Sequence, residues 1–194
     1  MHIGIILGSI RKVRRTEAVA AYVAGIAAGR AGEARYELID LAAYDVPLLT
    51  TSVHPMAAKQ RYDDANVQRW SAAIDPCDAF VFVTPEYNHG VPGGFKNAVD
   101  SLGEEWVGKP VAFVGHGSVS GVRAIEQWRQ IVANFSMPVV RAEVNFNGFT
   151  HWPDGVFTPE ERHVGAVHTM LDELEELTLR LRGEAAGAPP RAGR

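Results

Sequence analysis

"VFVTPEYNHGVPGGFKNAVDSL", Val81 to Leu102, is the stretch that decides the fold. It begins as an unbroken apolar run and breaks at Pro85-Glu86-Tyr87-Asn88-His89-Gly90. It restarts near Pro92, with Phe95, Val99 and Leu102 spaced by three and four. A continuous apolar run reads as a strand covered on both faces. The second spacing reads as a helix that buries one face. A buried strand that feeds a helix through a short loop belongs to an alternating β/α chain with a parallel sheet. In open sheets of that kind, the loop at the carboxyl end of a central strand is where ligands bind.

The same alternation extends in both directions. "HIGIILG" (His2 to Gly8), "RYELIDL" (Arg35 to Leu41), "AFVFVT" (Ala79 to Thr84) and "PVAFVG" (Pro110 to Gly115) read as strands, and "PVVRAEV" (Pro138 to Val144) as a weaker edge strand. Between and after them, Val19/Tyr22/Val23/Ile26, Val67/Trp70/Ile74, Val122/Ile125/Trp128/Val132/Phe135 and Val164/Val167/Leu171/Leu174/Leu177/Leu181 form helical stripes. The aromatic residues in these stripes read as core. Five strands with right-handed crossovers suit a doubly wound sheet of order 2-1-3-4-5, helices on both faces. Residues 1–182 are expected to form one domain. "GEAAGAPPRAGR" (Gly183 to Arg194) is expected to be a mobile tail. Asp45 to Lys59 has no clear period and reads as a long loop, a feature usually tied to function.

Composition narrows the class. The chain has 194 residues, 46% of them hydrophobic, and a net charge of −4. That balance suits one globular domain and offers no basic field for nucleic acid. The one cysteine, Cys77, allows no intrachain disulfide and reads as a packed thiol before a core strand. Met1 leads directly into the first strand, so no signal peptide is expected, and no apolar run approaches membrane-spanning length. The expected location is cytoplasmic.

Three loops carry candidate chemistry. After the first strand, "GSIRKVRRTEAVA" (Gly8 to Ala20) offers hydroxyls at Ser9 and Thr16, the Arg11 fork, and a helix beginning near Thr16. Helix amides with hydroxyls and a guanidinium suit a phosphate. The loop lacks the Gly-Lys-Ser/Thr of a P-loop and the later glycines of the dinucleotide fingerprint. Ser9 as a strand end and Thr16 as a plain helix cap are the bland alternatives. Lys12, Arg14 and Arg15 read as a solvated face; the sharper alternative is contact with a second nucleotide's phosphates.

In the loop after the third strand, Pro85 and Gly90 shape the turn, while Asn88 and the backbone amides suit a heteroaromatic edge. Tyr87 can cover an aromatic face. His89 reads as an exposed loop residue. Gly93 and Gly94 suggest close approach of a flat ligand or another backbone. After the fourth strand, "GHGSVSGVRA" (Gly115 to Ala124) is small and hydroxyl-bearing but is no nucleophile elbow, because no serine has the flanking glycines. No histidine spacing suggests a metal: His163 and His168 lie five apart, off a shared helix face. Glu104/Glu105 and Glu160/Glu161 are adjacent pairs, whose side chains diverge.

Together, "GSIR....T", "PEYNHGVPGGFKNAVD" and "GHGSVSGVRA" resemble the NADPH-dependent FMN reductase family, from about Ile3 to about Val144. The resemblance implies a flavodoxin-like three-layer sandwich and noncovalent FMN. It places the phosphate on Ser9, Arg11 and Thr16, the isoalloxazine on Pro85, Glu86, Tyr87, Asn88 and Gly90, and the ring edge near Gly117 and Ser118. Thr16 stands where the family more often has Ser or Asn, and Lys12 to Arg15 is unusually basic. The implied activity is ping-pong transfer of a hydride from NADPH or NADH, through FMN, to a quinone, flavin, azo compound or similar small acceptor. No side chain is assigned acid–base catalysis, and a homodimer or dimer of dimers is implied. A flavodoxin-type electron carrier is the alternative, disfavoured by Arg11 and the mild charge. A hydrolase or nucleotide-binding module on a similar sheet is a third reading.

Overall fold

A computed structural model describes residues 1–187. Its strands are β1 (His2–Leu7), β2 (Arg35–Asp40), β3 (Ala79–Pro85), β4 (Val111–Gly117) and β5 (Val139–Asn147). Its helices are α1 (Thr16–Ala28), α2 (Ala65–Ile74), α3 (Gly93–Asp100), α4 (Val122–Ala133) and α5 (Arg162–Gly187). All strand pairs are parallel, in the order β2-β1-β3-β4-β5. This is the expected flavodoxin-like sheet.

Alternation along β3 divides the core. Phe80 and Phe82 face a layer with Trp70 of α2, Phe95 of α3, Trp106 and Trp128 of α4. Val81 and Val83 face Val19 and Val23 of α1 and Val167 and Leu171 of α5. Bulky rings thus fill one side and branched aliphatics the other. The indole N–H groups are satisfied: Trp70 donates to Ala98 O (2.9 Å), Trp106 to Val99 O (3.0 Å) and Trp128 to Thr84 Oγ1 (3.0 Å). Cys77 is a buried member of the aromatic half, and burial pushes its thiol up to about 12, as suits a packed, unreactive sulfur.

Two boundaries differ from expectation. β5 continues to Asn147, past Val144, in register with β4 through Gly117↔Asn147. Its polar alternation is that of an edge strand. α5 reaches Gly187, into the segment expected to be a mobile tail. Residues 188–194 of that segment lie outside the described residues. Among the described residues, no helix is long and apolar enough to cross a membrane.

β1 and β3 are neighbours, yet their following loops lead to helices on opposite faces, α1 with the aliphatic half and α3 with the aromatic half. That is the topological switch point, where a crevice opens at the carboxyl edge.

Candidate functional site

The first loop is tied down from several sides. Gly8 N donates to Val83 O (2.9 Å), and a Cβ at Gly8 would lie 2.2 Å from Phe95 Cδ1. Glycine is needed there for close packing of α3. Ser9 is fully buried, its Oγ 2.8 Å from Tyr87 Oη. Arg14 donates from Nη1 to Ser9 O (2.6 Å) and Asp40 Oδ1 (2.9 Å), and from Nη2 to Asp40 Oδ2 (2.5 Å). Its rigid fork fastens the loop to the end of β2. Arg15 donates to Gly148 O (2.6 Å) and stands 4.9 Å from the Trp152 ring centre. Arg14, half-buried and paired to Asp40, is therefore a brace within the fold and not part of a solvated face, whereas Arg15 stays exposed beside its bond to Gly148. Arg11 is exposed, its guanidinium 5.7 Å from the Tyr87 ring centre and in no ion pair among the described residues.

Thr16 opens α1 but does not cap it; Arg15 holds the cap position, with no side-chain cap bond. Thr16 is fully buried and its Oγ1 lies 2.8 Å from His116 Nε2 at the end of β4. Burial, reinforced by the Arg15 charge, pushes His116 down to about 4, so the ring is neutral near pH 7. Among the described residues, no backbone N–H from Lys12 to Thr16 meets a protein acceptor. A run of unpaired amides at a helix start, beside a free guanidinium, is a site for an anion.

After β3, Tyr87 and Gly90 exchange two backbone hydrogen bonds of 3.0 Å. Asn88 and His89 between them have φ of 49° and 69°. Positive φ at both central positions makes a type I′ turn. The N–H groups of Asn88 and His89 meet no acceptor among the described residues. Gln127 of α4 braces the turn, donating to His89 O (2.8 Å) and accepting from Val91 N (3.2 Å). The Glu86 carboxylate is engaged by α4: Oε2 accepts from Arg123 N (3.1 Å) and Oε1 from Arg123 Nη1 (2.9 Å). Gly94 has close approach of a side chain, since a Cβ there would meet Ile10 Cδ1 at 2.6 Å.

After β4, Ser120 N donates to Gly117 O (3.0 Å). Gly121 has φ of 79°, and a Cβ there would meet His116 N at 2.5 Å, so the turn requires glycine twice over. Gly148 N also donates to Gly117 O (2.6 Å), which brings the segment after β5 into the site.

These loops enclose a cavity of about 420 Å³. Of the residues expected from sequence, Arg11, Pro85, Glu86, Tyr87, Gly117 and Ser118 line it. Ser9 and Thr16 are buried, and Asn88 and Gly90 lie on the adjoining turn outside the lining. Arg14 and Arg15, weighed from sequence only as contacts for a second nucleotide, also line it, as do Val13, His116, Gly148 and Phe149, which the sequence reading does not place there. His116 was legible as the polar break in "VGHG" at a strand end; Gly148 and Phe149 were hidden by the underestimated length of β5. A second cavity of about 410 Å³ lies beneath the Pro47–Asp64 segment and shares no residue with the first. Among the described residues there is no cluster of His, Cys, Asp or Glu that could hold a metal.

Comparison with known proteins matches residues 1–151 to the family model described as NADPH-dependent FMN reductase. An NAD(P)H-dependent FMN reductase of Nectria sp is 32% identical over 192 residues, covering 90% of this chain and 96% of the relative. A quinone reductase of Pseudomonas putida is 31% identical over 146 residues, 72% of this chain and 73% of the relative. Among solved structures, a flavoenzyme NAD(P)H:(acceptor) oxidoreductase from Paracoccus denitrificans superposes with a TM-score of 0.69 at 23% identity, covering 90% of this chain and 97% of that one. The last likeness concerns the fold alone. The chain belongs to the NADPH-dependent FMN reductase family.

Proposed function

We propose that the protein is an FMN-dependent NAD(P)H oxidoreductase that holds its flavin in the cavity at the carboxyl edge of the sheet. The observation that carries this is the unpaired amide run from Lys12 to Thr16 beside the free Arg11, in a chain of this family. Ser9, Arg11 and Thr16 serve the phosphate, with Ser9 exchanging Tyr87 for it as partner. Pro85, Glu86, Tyr87, Asn88 and Gly90 flank one side of the ring, and Gly117 and Ser118 the other. Glu86 acts through its backbone, because its carboxylate belongs to the start of α4. When bound, FMN supplies the redox chemistry, accepting a hydride from NAD(P)H and passing it to a quinone, flavin, azo compound or similar small acceptor in ping-pong order. The chain's own residues position the ring, neutralise its phosphate and shape the open face that successive flat substrates share. Phe149, 77% exposed on the cavity wall, offers that face an apolar surface.

With Arg14 paired to Asp40 inside the fold, the exposed Lys12 and Arg15 are the cations left in the first loop for the 2′-phosphate of NADPH, which favours NADPH over NADH. The 1–182 segment acts as one domain, and the buried lone Cys77 suits the reducing cytoplasm. Leu48, Leu49, Val53 and Met56 expose apolar surface on the segment after β2, which supports pairing as a homodimer; light scattering should return twice the chain mass. The deciding experiment is the visible spectrum of the purified protein, supplemented with FMN if colourless, before and after anaerobic NADPH. Flavin bands that bleach are expected. Bound flavin that NADPH leaves oxidised would turn the reading to an electron carrier, and failure to bind flavin would remove it.

A further inference from the structure

His116 lines the cavity, yet binding the flavin gives it no task. It occupies the penultimate position of β4, paired in register with Pro85 on one side and Phe146 on the other. It is 6% exposed, and its Nε2 lies 2.8 Å from the fully buried Thr16 Oγ1. A neutral imidazole has one donor and one acceptor nitrogen, so this contact has two possible senses. If Nε2 is bare, the Thr16 hydroxyl donates to the ring and turns its lone pairs to the amides around it. If Nε2 carries the proton, Thr16 Oγ1 accepts, and its own proton is free. No other partner of Thr16 Oγ1 exists among the described residues, and the neighbouring N–H groups from Lys12 onward are all donors. An anion in that amide run is then the natural acceptor for the hydroxyl proton.

We propose that His116, as the Nε2–H tautomer, is a positioning residue that donates to Thr16 Oγ1 and so presents the Thr16 hydroxyl proton to the phosphate of bound FMN. The imidazole touches the hydroxyl and acts through it. This rests on the assignment of the first loop to the FMN phosphate.

The test titrates wild type and variants with FMN and with riboflavin, which lacks the phosphate, by flavin fluorescence. His116→Leu should weaken FMN about tenfold, the worth of one hydrogen bond to a charged group, and leave riboflavin unchanged. His116→Gln, whose amide can still donate to Thr16, should recover most of the loss. Thr16→Val should lose as much as His116→Leu, and the double variant no more than Thr16→Val alone. Nitrogen-15 spectra of the wild-type histidines, without flavin, should show the Nε2–H tautomer at His116. An Nδ1–H tautomer, additive losses, or equal losses for FMN and riboflavin would each overturn the proposal while leaving the flavin site standing. Wild type that binds riboflavin as tightly as FMN would remove the phosphate assignment and this proposal with it.

Discussion

At Arg11 and Arg14 the same side chain, three residues apart, has opposite fates. Arg14 is fixed by Asp40 and Ser9 O, whereas Arg11 stands free at the cavity. Sequence shows a basic loop but not which guanidinium is free, because Asp40 lies 26 positions away and meets Arg14 only when β1 pairs with β2. Arg11→Ala is expected to weaken FMN by about ten- to a hundredfold, the range for charge-assisted hydrogen bonds. Its urea midpoint should stay near wild type, since no ion pair of the fold is lost. Unchanged FMN affinity would take Arg11 out of the phosphate site. Gly8 behaves in the reverse way. Its importance was legible as a turn glycine, but the physical reason is the Phe95 ring at 2.2 Å from a hypothetical Cβ. Gly8→Ala should therefore destabilise the fold by about 1–3 kcal/mol through overpacking, seen as a lower urea midpoint. An unshifted midpoint would mean that α3 gives way freely.

Among the elements, those with strong periods were legible and those governed by partners were not. The continuous apolar runs of β3 and β4 match the structure closely because each is set by burial, and the stripe of α4 holds at Ile125, Trp128 and Val132, while Val122 is exposed and Phe135 lies past the helix end. β5 runs past Val144, where the expected strand ends, because the backbones of Asn145 and Asn147 are held by β4 across an edge whose side chains face outward in part. On α5 the buried face is Val167, Met170, Leu171 and Leu174, while Val164 is exposed, so the stripe was found with its first member misplaced. The Tyr87–Gly90 turn could be read as a turn, but its type depends on φ values that Asn tolerates and His89 does not prefer. His89→Gly should remove that cost and raise stability by about 0.5–1 kcal/mol, net of the added freedom of the unfolded chain. Differential scanning calorimetry of the two proteins decides it. A lower melting temperature would show that Gln127, bonded to His89 O, already holds the turn without strain.

For the molecule as a whole, topology was the most legible feature and the inventory of the site the least. Alternating strands and helices with right-handed crossovers leave few arrangements, and the order β2-β1-β3-β4-β5 is among them. The site draws on residues as distant as Ser9 and Phe149, which only the closed sheet brings to one edge. His116 links that edge to global stability. Buried and beside Arg15, it is pushed down to about 4 in the fold, against about 6.5 in an unfolded chain. Between those values the unfolded chain binds a proton at this position and the folded one does not, so stability rises with pH there. The contribution is complete above about pH 6.5 and is lost as pH falls towards 4, amounting to roughly 3 kcal/mol at most. His163, also pushed down by burial, steepens the same acid limb. The difference between wild type and His116→Gln isolates the one ring, because Gln does not titrate. Urea unfolding of both flavin-free proteins at pH 7.5, 6 and 5 should show wild type losing ground to the variant at each step down. Curves that remain parallel would mean that the ring accepts its proton in the folded protein as readily as in water, and that its contact with Thr16 survives protonation.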